Sequence, residues 1–214
     1  MMSAGDRPFV SYRALYILLA MSIASNIIII ARVSYPKALE NLRVRLQAPP
    51  VVTPADHIRG TANATGTVIV YTDFQCPFCS RLHATMLDVS KTSDFRWIYR
   101  HFPLESHLYA AKAAEAAECG GEQGKFWEYS DGLFDSKFTI EGDSSLRQLA
   151  VAVGLERNAF ERCLASGRFA SRVAAHRADG IRRRMAGTPT FFVNGTRFEG
   201  AITADQLRRA LEYK

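Results

Sequence analysis

A pair of cysteines follows an apolar run rich in β-branched residues, and this junction constrains the fold more than any other feature. The segment reads VIVYTDFQCPFCSRLHATM over residues 68–86, in which Pro77 and Phe78 separate Cys76 from Cys79. The run before the cysteines is typical of a buried strand, and the apolar residues after them recur at helical spacing. The pattern predicts a strand that leads directly into a helix whose first turn carries two thiols.

The N-terminus of a helix is a favourable place for a thiolate. Backbone N–H groups and the positive end of the helix dipole would point at the sulfur of Cys76, so we expect its pKa to lie below that of a free cysteine. Pro77 suits the first helical position, where the missing N–H has no intrahelical partner to lose. Cys79 would lie on the same face and be more buried, which makes Cys76 the exposed attacking thiol and Cys79 the resolving thiol.

A C-x-x-C pair can also form half of a zinc site. Structural zinc sites usually have a second close pair of ligands, whereas Cys119 and Cys163 are isolated and no closely spaced histidine pair accompanies them. We therefore favour redox chemistry with no metal and no other cofactor. The alternative from another functional class is a copper carrier that binds Cu(I) through Cys76 and Cys79.

The remaining pattern extends this unit into an α/β domain. After the helix that starts at Pro77, residues 95–104 read as a second strand and the next sixty residues or so as helices. Two short strands joined by the hairpin signal Asn194-Gly195 follow a helix over residues 169–185, and an amphipathic helix ends the chain. The order predicts an α/β sheet domain with a helical insertion at about residues 105–166.

The segment AGTPTFF contains a second signal. Pro189 follows a glycine and a threonine at the start of a predicted strand, which makes it a candidate for a cis peptide bond. An ordinary turn proline is the alternative, but a C-x-x-C pair in the same chain favours the cis interpretation.

The segments DFQCPFCSRLH, QGKFWEYSDGLF and GTPTFFVNG, in this order, resemble the DsbA-like branch of the thioredoxin superfamily over residues 57–214. The resemblance implies a thioredoxin fold with a helical insertion. It also implies thiol–disulfide oxidoreductase activity on exported client proteins that contain cysteines, supported by a membrane redox partner that reoxidises or reduces the dithiol.

The resemblance further assigns roles to individual residues. Cys76 would be the nucleophile and Cys79 the resolving thiol, with the cis-proline Pro189 facing both. The backbone of Thr188 would pair with an extended client segment, a form of strand addition. The implied client-binding residues are Thr188, Pro189, Pro77 and Phe78.

Two positions depart from the family pattern. Val70 stands six residues before the first cysteine, where the family often has a buried acid; Asp73 is nearer but lies on the other face of the strand. Phe78 occupies a position where the most oxidising members have histidine, so we expect a milder oxidant. Within this class we favour an oxidase over a reductase or an isomerase.

Cys119 and Cys163 both lie in the predicted insertion, near helix ends. They are either a second, structural disulfide, which we favour, or two small buried hydrophobic residues. For His83, His101 and His107 we expect exposed positions on the surface.

The N-terminal part of the chain predicts an attachment to a membrane. Residues 14–31 carry no charge, and a helix of this length approaches the thickness of the hydrocarbon core. We therefore expect a cytoplasmic tail at 1–13, a single transmembrane anchor at 14–33, a proline-rich linker at 34–56 and the catalytic domain at 57–214. A cleaved signal peptide is the alternative to the anchor.

The compartment follows from the chemistry of the cysteines. A dithiol oxidant and a structural disulfide are of use outside the cytoplasm, so we place the domain on the periplasmic or extracellular side of the inner membrane. The net charge of +6 comes without a basic stripe interleaved with aromatic residues, so we expect no nucleic-acid partner.

Overall fold

The computed structural model describes residues 48–135 and 138–213, together with residues 12, 16–17, 19–27, 30 and 35. The chain divides into two units, Met1–Leu46 and Gln47–Lys214. In the first unit residues 19–27 are helical, and the predicted anchor lies partly outside the described residues. None of the described helices is both long and apolar enough to cross a membrane.

The second unit is built on a five-stranded mixed sheet. Its strands are β1 (His57–Arg59), β2 (Gly66–Thr72), β3 (Phe95–His101), β4 (Thr190–Val193) and β5 (Thr196–Glu199). They lie in the order β1-β3-β2-β4-β5. The pair β2/β3 is parallel, whereas β1/β3, β2/β4 and β4/β5 are antiparallel.

Seven helices of the second unit surround this sheet within the described part of the chain. They are α1 (Pro77–Val89), α2 (Ala110–Glu122), α3 (Phe126–Phe134), α4 (Asp143–Ala152), α5 (Arg157–Ser166), α6 (Ala170–Arg182) and α7 (Ala204–Glu212). Helices α2 to α6 lie between β3 and β4 in the sequence. The thioredoxin-like α/β fold with a helical insertion is therefore confirmed.

The two faces of the central strand β2 contribute to different parts of the core. Val68 and Val70 pack with Leu82 and Met86 of α1, whereas Ile69 and Tyr71 face a cluster on the opposite side of the sheet. This alternation follows from the two-residue period of a strand. Burying both faces of β2 explains why its sequence is almost continuously apolar.

The insertion has its own core, which a disulfide crosses. Cys119 of α2 and Cys163 of α5 are bonded, with a Cα–Cα distance of 5.8 Å and a sequence separation of 44 residues. Both cysteines are buried among apolar side chains of the insertion, including Tyr129, Leu146 and Phe160. The structure thus pairs the two cysteines for which we favoured a bond.

The segment before β1, assigned to the linker from the sequence, lies against the domain. Arg100 of β3 donates from Nη2 to the carbonyl of Val51 at 2.7 Å and from Nε to Asp56 at 3.0 Å. Asp56 is buried, and burial opposes its ionisation, but its hydrogen bonds from Arg100 and Thr53 dominate and lower its pKa. Residues 51–56 are therefore attached to the domain through the side chain of Arg100.

Removing the Cys119–Cys163 bond should destabilise the second unit. Closure of a loop of this length stabilises a protein by about 4 kcal/mol in the chain-entropy model. In a background with Cys76→Ala and Cys79→Ala, the further change Cys119→Ala with Cys163→Ala should lower the urea midpoint of unfolding.

A reducing agent supplies the matched control for that experiment. It should lower the midpoint of the protein that retains Cys119 and Cys163 and leave the quadruple variant unaffected. Equal urea midpoints with and without the bond would contradict its contribution to stability.

Candidate active site

The two thiols lie where β2 ends and α1 begins. Cys76 is the N-cap of α1 in an extended conformation, and Pro77 occupies the first turn. The N–H groups of Cys79 and Ser80 donate to the carbonyl of Cys76 at 3.0 and 3.1 Å. The helix thus starts at the first cysteine, as the position of Pro77 predicts.

The chemical environments of the two sulfurs differ. A hydrogen bond from the Cys79 thiol lowers the pKa of Cys76 to about 5, against the opposing effect of burial, with help from the side chain of Thr188 and from the N–H groups of Cys79 and Phe78. Burial is the main cause that raises the pKa of Cys79, and the nearby Cys76 raises it further. The two shifts favour the thiolate on Cys76 and keep the proton on Cys79.

A loop before β4 covers the pair. The Thr188–Pro189 peptide bond is cis, and the carbonyl of Thr188 lies 3.3 Å from Sγ of Cys76. Pro189 is buried and Thr188 is half-buried. The sequence signal at Pro189 therefore marks the loop that faces the thiols.

The exposure of Cys76 is lower than we predicted. The residue is 5% exposed, although it is still more accessible than Cys79 at 1%. The contact with Thr188 explains why Cys76 is less exposed than we predicted, since this loop shields one side of the sulfur. Pro77 and Phe78 are exposed beside it, and the guanidinium of Arg81 lies 4.3 Å from the centre of the Phe78 ring.

Asp73 ties the segment before Cys76 to the loop after β3. The residue is buried, and its carboxylate accepts hydrogen bonds from the N–H groups of Gln75 and Leu104 at 2.7 and 2.8 Å. The ring of His107 lies 2.9 Å from the same carboxylate. The carboxylate of Asp73 thus has three hydrogen-bond partners. In the structure it fixes the segment before Cys76 to the loop after β3.

The expected surface positions of two histidines were wrong. His83 is 5% exposed, and its Nε2 bonds Oδ1 of Asp131 at 2.9 Å. His101 is 1% exposed, and its Nε2 bonds Glu118 at 2.8 Å. Neither carboxylate partner is close in sequence, so the pairing could not be recognised from the local pattern.

Tyr99 and Phe134 complete the wall behind the thiols, and the sequence did not single them out as site residues. Both pack against Phe74, which precedes the cysteines, with ring centres at 5.5 and 5.0 Å. Tyr99 is 1% exposed, and burial raises the pKa of its hydroxyl well above the ordinary value.

The spacing of four residues from Cys79 to His83, one helical turn, is the signal that could have found His83.

Residues 52–213 match the sequence model of a family described as Thioredoxin. The Na(+)/H(+) antiporter NhaA 1 of Mycolicibacterium vanbaalenii is 39% identical over 168 residues, which cover 76% of this chain and 27% of that protein. The antiporter NhaA of Herminiimonas arsenicoxydans is 33% identical, covering 77% of this chain and 26% of that protein. The chain thus spans about a quarter of the length of the curated relatives it matches.

Solved structures share the fold. BdbD from Bacillus subtilis superposes with a TM-score of 0.68 at 19% identity, covering 77% of this chain and 95% of BdbD. The α-DsbA1 protein of Wolbachia pipientis gives a TM-score of 0.66 at 20% identity, covering 77% of this chain and 92% of that protein. These neighbours confirm the DsbA-like fold that the sequence resemblance predicted. Since the family match extends over more than half of the chain, the protein belongs to the thioredoxin family.

Proposed function

We propose that the protein is a membrane-anchored thiol–disulfide oxidoreductase that forms disulfides in exported proteins through Cys76 and Cys79. The observation that carries the proposal is the placement of the pair: Cys76 is the N-cap of α1, Cys79 is the more deeply buried thiol, and their pKa values shift in opposite directions. One reactive thiolate beside one protonated thiol is what a two-step exchange of disulfides requires. The family membership and the DsbA-like fold support the same activity.

The exchange proceeds through a mixed disulfide. A client thiolate attacks Sγ of Cys76 in the oxidised pair, a client–Cys76 bond forms, and Cys79 leaves as the thiolate and takes up a proton. A second client thiolate then attacks the client sulfur of the mixed disulfide and releases Cys76 as a thiolate. The client gains a disulfide, the protein gains two electrons, and the redox partner in the membrane removes them.

The client would bind along the loop that covers the thiols. The backbone of Thr188 lies next to Cys76 and offers an extended segment a partner, whereas the half-exposed ring of Phe78 offers an apolar contact. Pro189 follows Thr188 in this loop and is buried. We assign client binding to these residues and to Pro77.

The direction of electron flow follows from the stability of the thiolate. A stabilised thiolate favours the reduced form and makes the disulfide a stronger oxidant. The lowered pKa of Cys76 therefore supports an oxidase over a reductase. Phe78, which offers no hydrogen bond to the thiolate, supports a milder oxidant than DsbA.

The compartment and the anchor belong to the same proposal. Disulfides such as Cys119–Cys163 persist in oxidising compartments, which supports a location outside the cytoplasm. The uncharged residues 14–31 would hold the domain at the inner membrane. The names of the curated relatives describe ion transport, but this chain spans only about a quarter of their length, so the proposal rests on the thiols of this chain and not on those names.

The thiolate of Cys76 should be measurable by alkylation. In the reduced protein, the rate of iodoacetamide modification should rise with pH around a midpoint near 5. Cys79→Ala should move the midpoint upward, because it removes the hydrogen bond that contributes most to the low pKa. A wild-type midpoint near 8.5, the value of a free cysteine, would contradict the assignment.

Mixed disulfides should accumulate when the resolving thiol is absent. Cys79→Ser should trap clients on Cys76 as adducts visible on non-reducing gels, whereas the matched variant Cys76→Ser should trap none. Cys119 and Cys163 are bonded to each other in the structure and supply no thiol. Equal trapping by the two variants would contradict the assigned roles.

A further inference from the structure

A small cavity lined by buried residues lies behind Cys79. It measures about 10 Å³, close to the space that one water molecule needs. Its walls come from α1, from β2 and β3 and from the end of α3. The lining includes Cys79, His83, Met86, Trp97, Tyr99 and Phe134.

Three of the lining side chains carry a buried polar atom that lacks a partner among residues 48–135 and 138–213. These atoms are Nδ1 of His83, Nε1 of Trp97 and the hydroxyl of Tyr99. The side chains are almost completely buried, with the residues 5%, 2% and 1% exposed. Each buried polar atom without a partner costs about 1–3 kcal/mol, so a bound water with two to four hydrogen bonds would stabilise this site.

The hydrogen bonds of His83 define which ring nitrogen can accept a proton. Nε2 lies 2.9 Å from Oδ1 of Asp131, and Oδ2 of the same carboxylate accepts from Arg59 at 2.7 Å. Burial opposes ionisation of Asp131, but the hydrogen bonds from His83 and Arg59 prevail and lower its pKa. An ionised carboxylate only accepts, so Nε2 carries the proton and Nδ1 has the free lone pair.

The charge state of His83 at neutral pH suits a base. Burial lowers its pKa below the ordinary 6.5, outweighing the opposite effect of Asp131, while Arg59 adds to the lowering. Among the residues that the structure describes, the titratable and charged groups around the ring are Asp131 from α3, Arg59 from β1, Tyr99 from β3 and Cys79 one turn earlier in α1. Tyr99 is a weak acid here, since burial raises its pKa.

We propose that His83, acting through one water bound in this cavity, takes the proton from Cys79 when that thiol attacks a mixed disulfide on Cys76. The inference rests on the proposed function, because it concerns the resolving step of the same dithiol. Neither of the two residues considered from the sequence replaces His83 as the base. Val70 of β2 has no ionisable group, and the carboxylate of Asp73 is already bonded to Gln75, Leu104 and His107.

The step balances with glutathione as the attached group. The Cys79 thiol gives its proton through the water to Nδ1 of His83, and the sulfur forms a bond to Sγ of Cys76. The bond between Cys76 and glutathione breaks, and glutathione leaves with the electron pair as a thiolate. The histidinium is stabilised by Asp131 and returns its proton to the solvent; the reverse step protonates Cys79 when it leaves.

The test measures closure of the pair at different pH values. Reduced full-length protein is mixed with excess oxidised glutathione, quenched with acid, and the glutathione adduct on Cys76 is followed by intact mass. In the wild type the closure rate should level off above the pKa of His83. In His83→Gln, whose amide can still donate to Asp131, closure should be about 100-fold slower at pH 7 and should rise tenfold per pH unit.

A second variant and a matched control separate proton transfer from packing. Asp131→Asn keeps the imidazole but removes the charge that raises its pKa, so the break in the pH profile should move to lower pH. Met86→Leu changes the apolar lining of the same cavity with little change in volume and should keep the wild-type profile.

Three results would overturn the proposal. One is a His83→Gln profile that superposes on the wild type, and another is a loss by the same factor at every pH, which indicates a structural role only. The third is an unmoved break in Asp131→Asn. In each of these cases the proposed function stands if Cys79→Ser still accumulates the glutathione adduct, whereas absence of that adduct would overturn the proposed function as well.

Discussion

The placement of both cysteines at the start of α1 is the constraint on which the chemistry of this protein depends. Cys76 is the N-cap of α1 and Cys79 lies in its first turn, and the side chain of Cys79 contributes most to the low pKa of Cys76. The position of α1 depends on β2, the central strand, whose apolar residues pack against Leu82 and Met86. A buried strand and one helix thus hold two sulfurs at a distance where they influence each other.

Burial distinguishes the two thiols further. Cys79 faces the interior, next to Tyr99 and Phe134, and burial keeps it protonated. Cys76 faces the loop of Thr188 and can be approached from the side of Phe78. Burial also raises the pKa of Cys79, so this thiol needs a base to take its proton when it attacks. His83 is the base that we propose, and its hydrogen bond to Asp131 links α1 to the insertion helix α3.

Local signals in the sequence predicted the elements that carry the thiols. The bounds of α1 follow from Pro77 at its start and from the helical spacing of apolar residues up to Val89. Strand β1 was missed, because its three residues contain one apolar side chain and form a strand only through pairing with β3. The burial of His83 and His101 depends on Asp131 and Glu118, which are 48 and 17 residues away. Contacts between such distant residues belong to the tertiary structure, and the periodicity of a single segment does not predict them.

The measurement that tests the central claim most directly is the reduction potential of the Cys76–Cys79 pair. The full-length protein would be equilibrated with a series of glutathione ratios and the oxidised fraction determined by mass. Since the thiolate of Cys76 stabilises the reduced form, the account predicts a potential between about −270 mV, as in thioredoxin, and about −120 mV, as in DsbA. A potential at or below that of thioredoxin would contradict the claim that this site is built to oxidise other proteins.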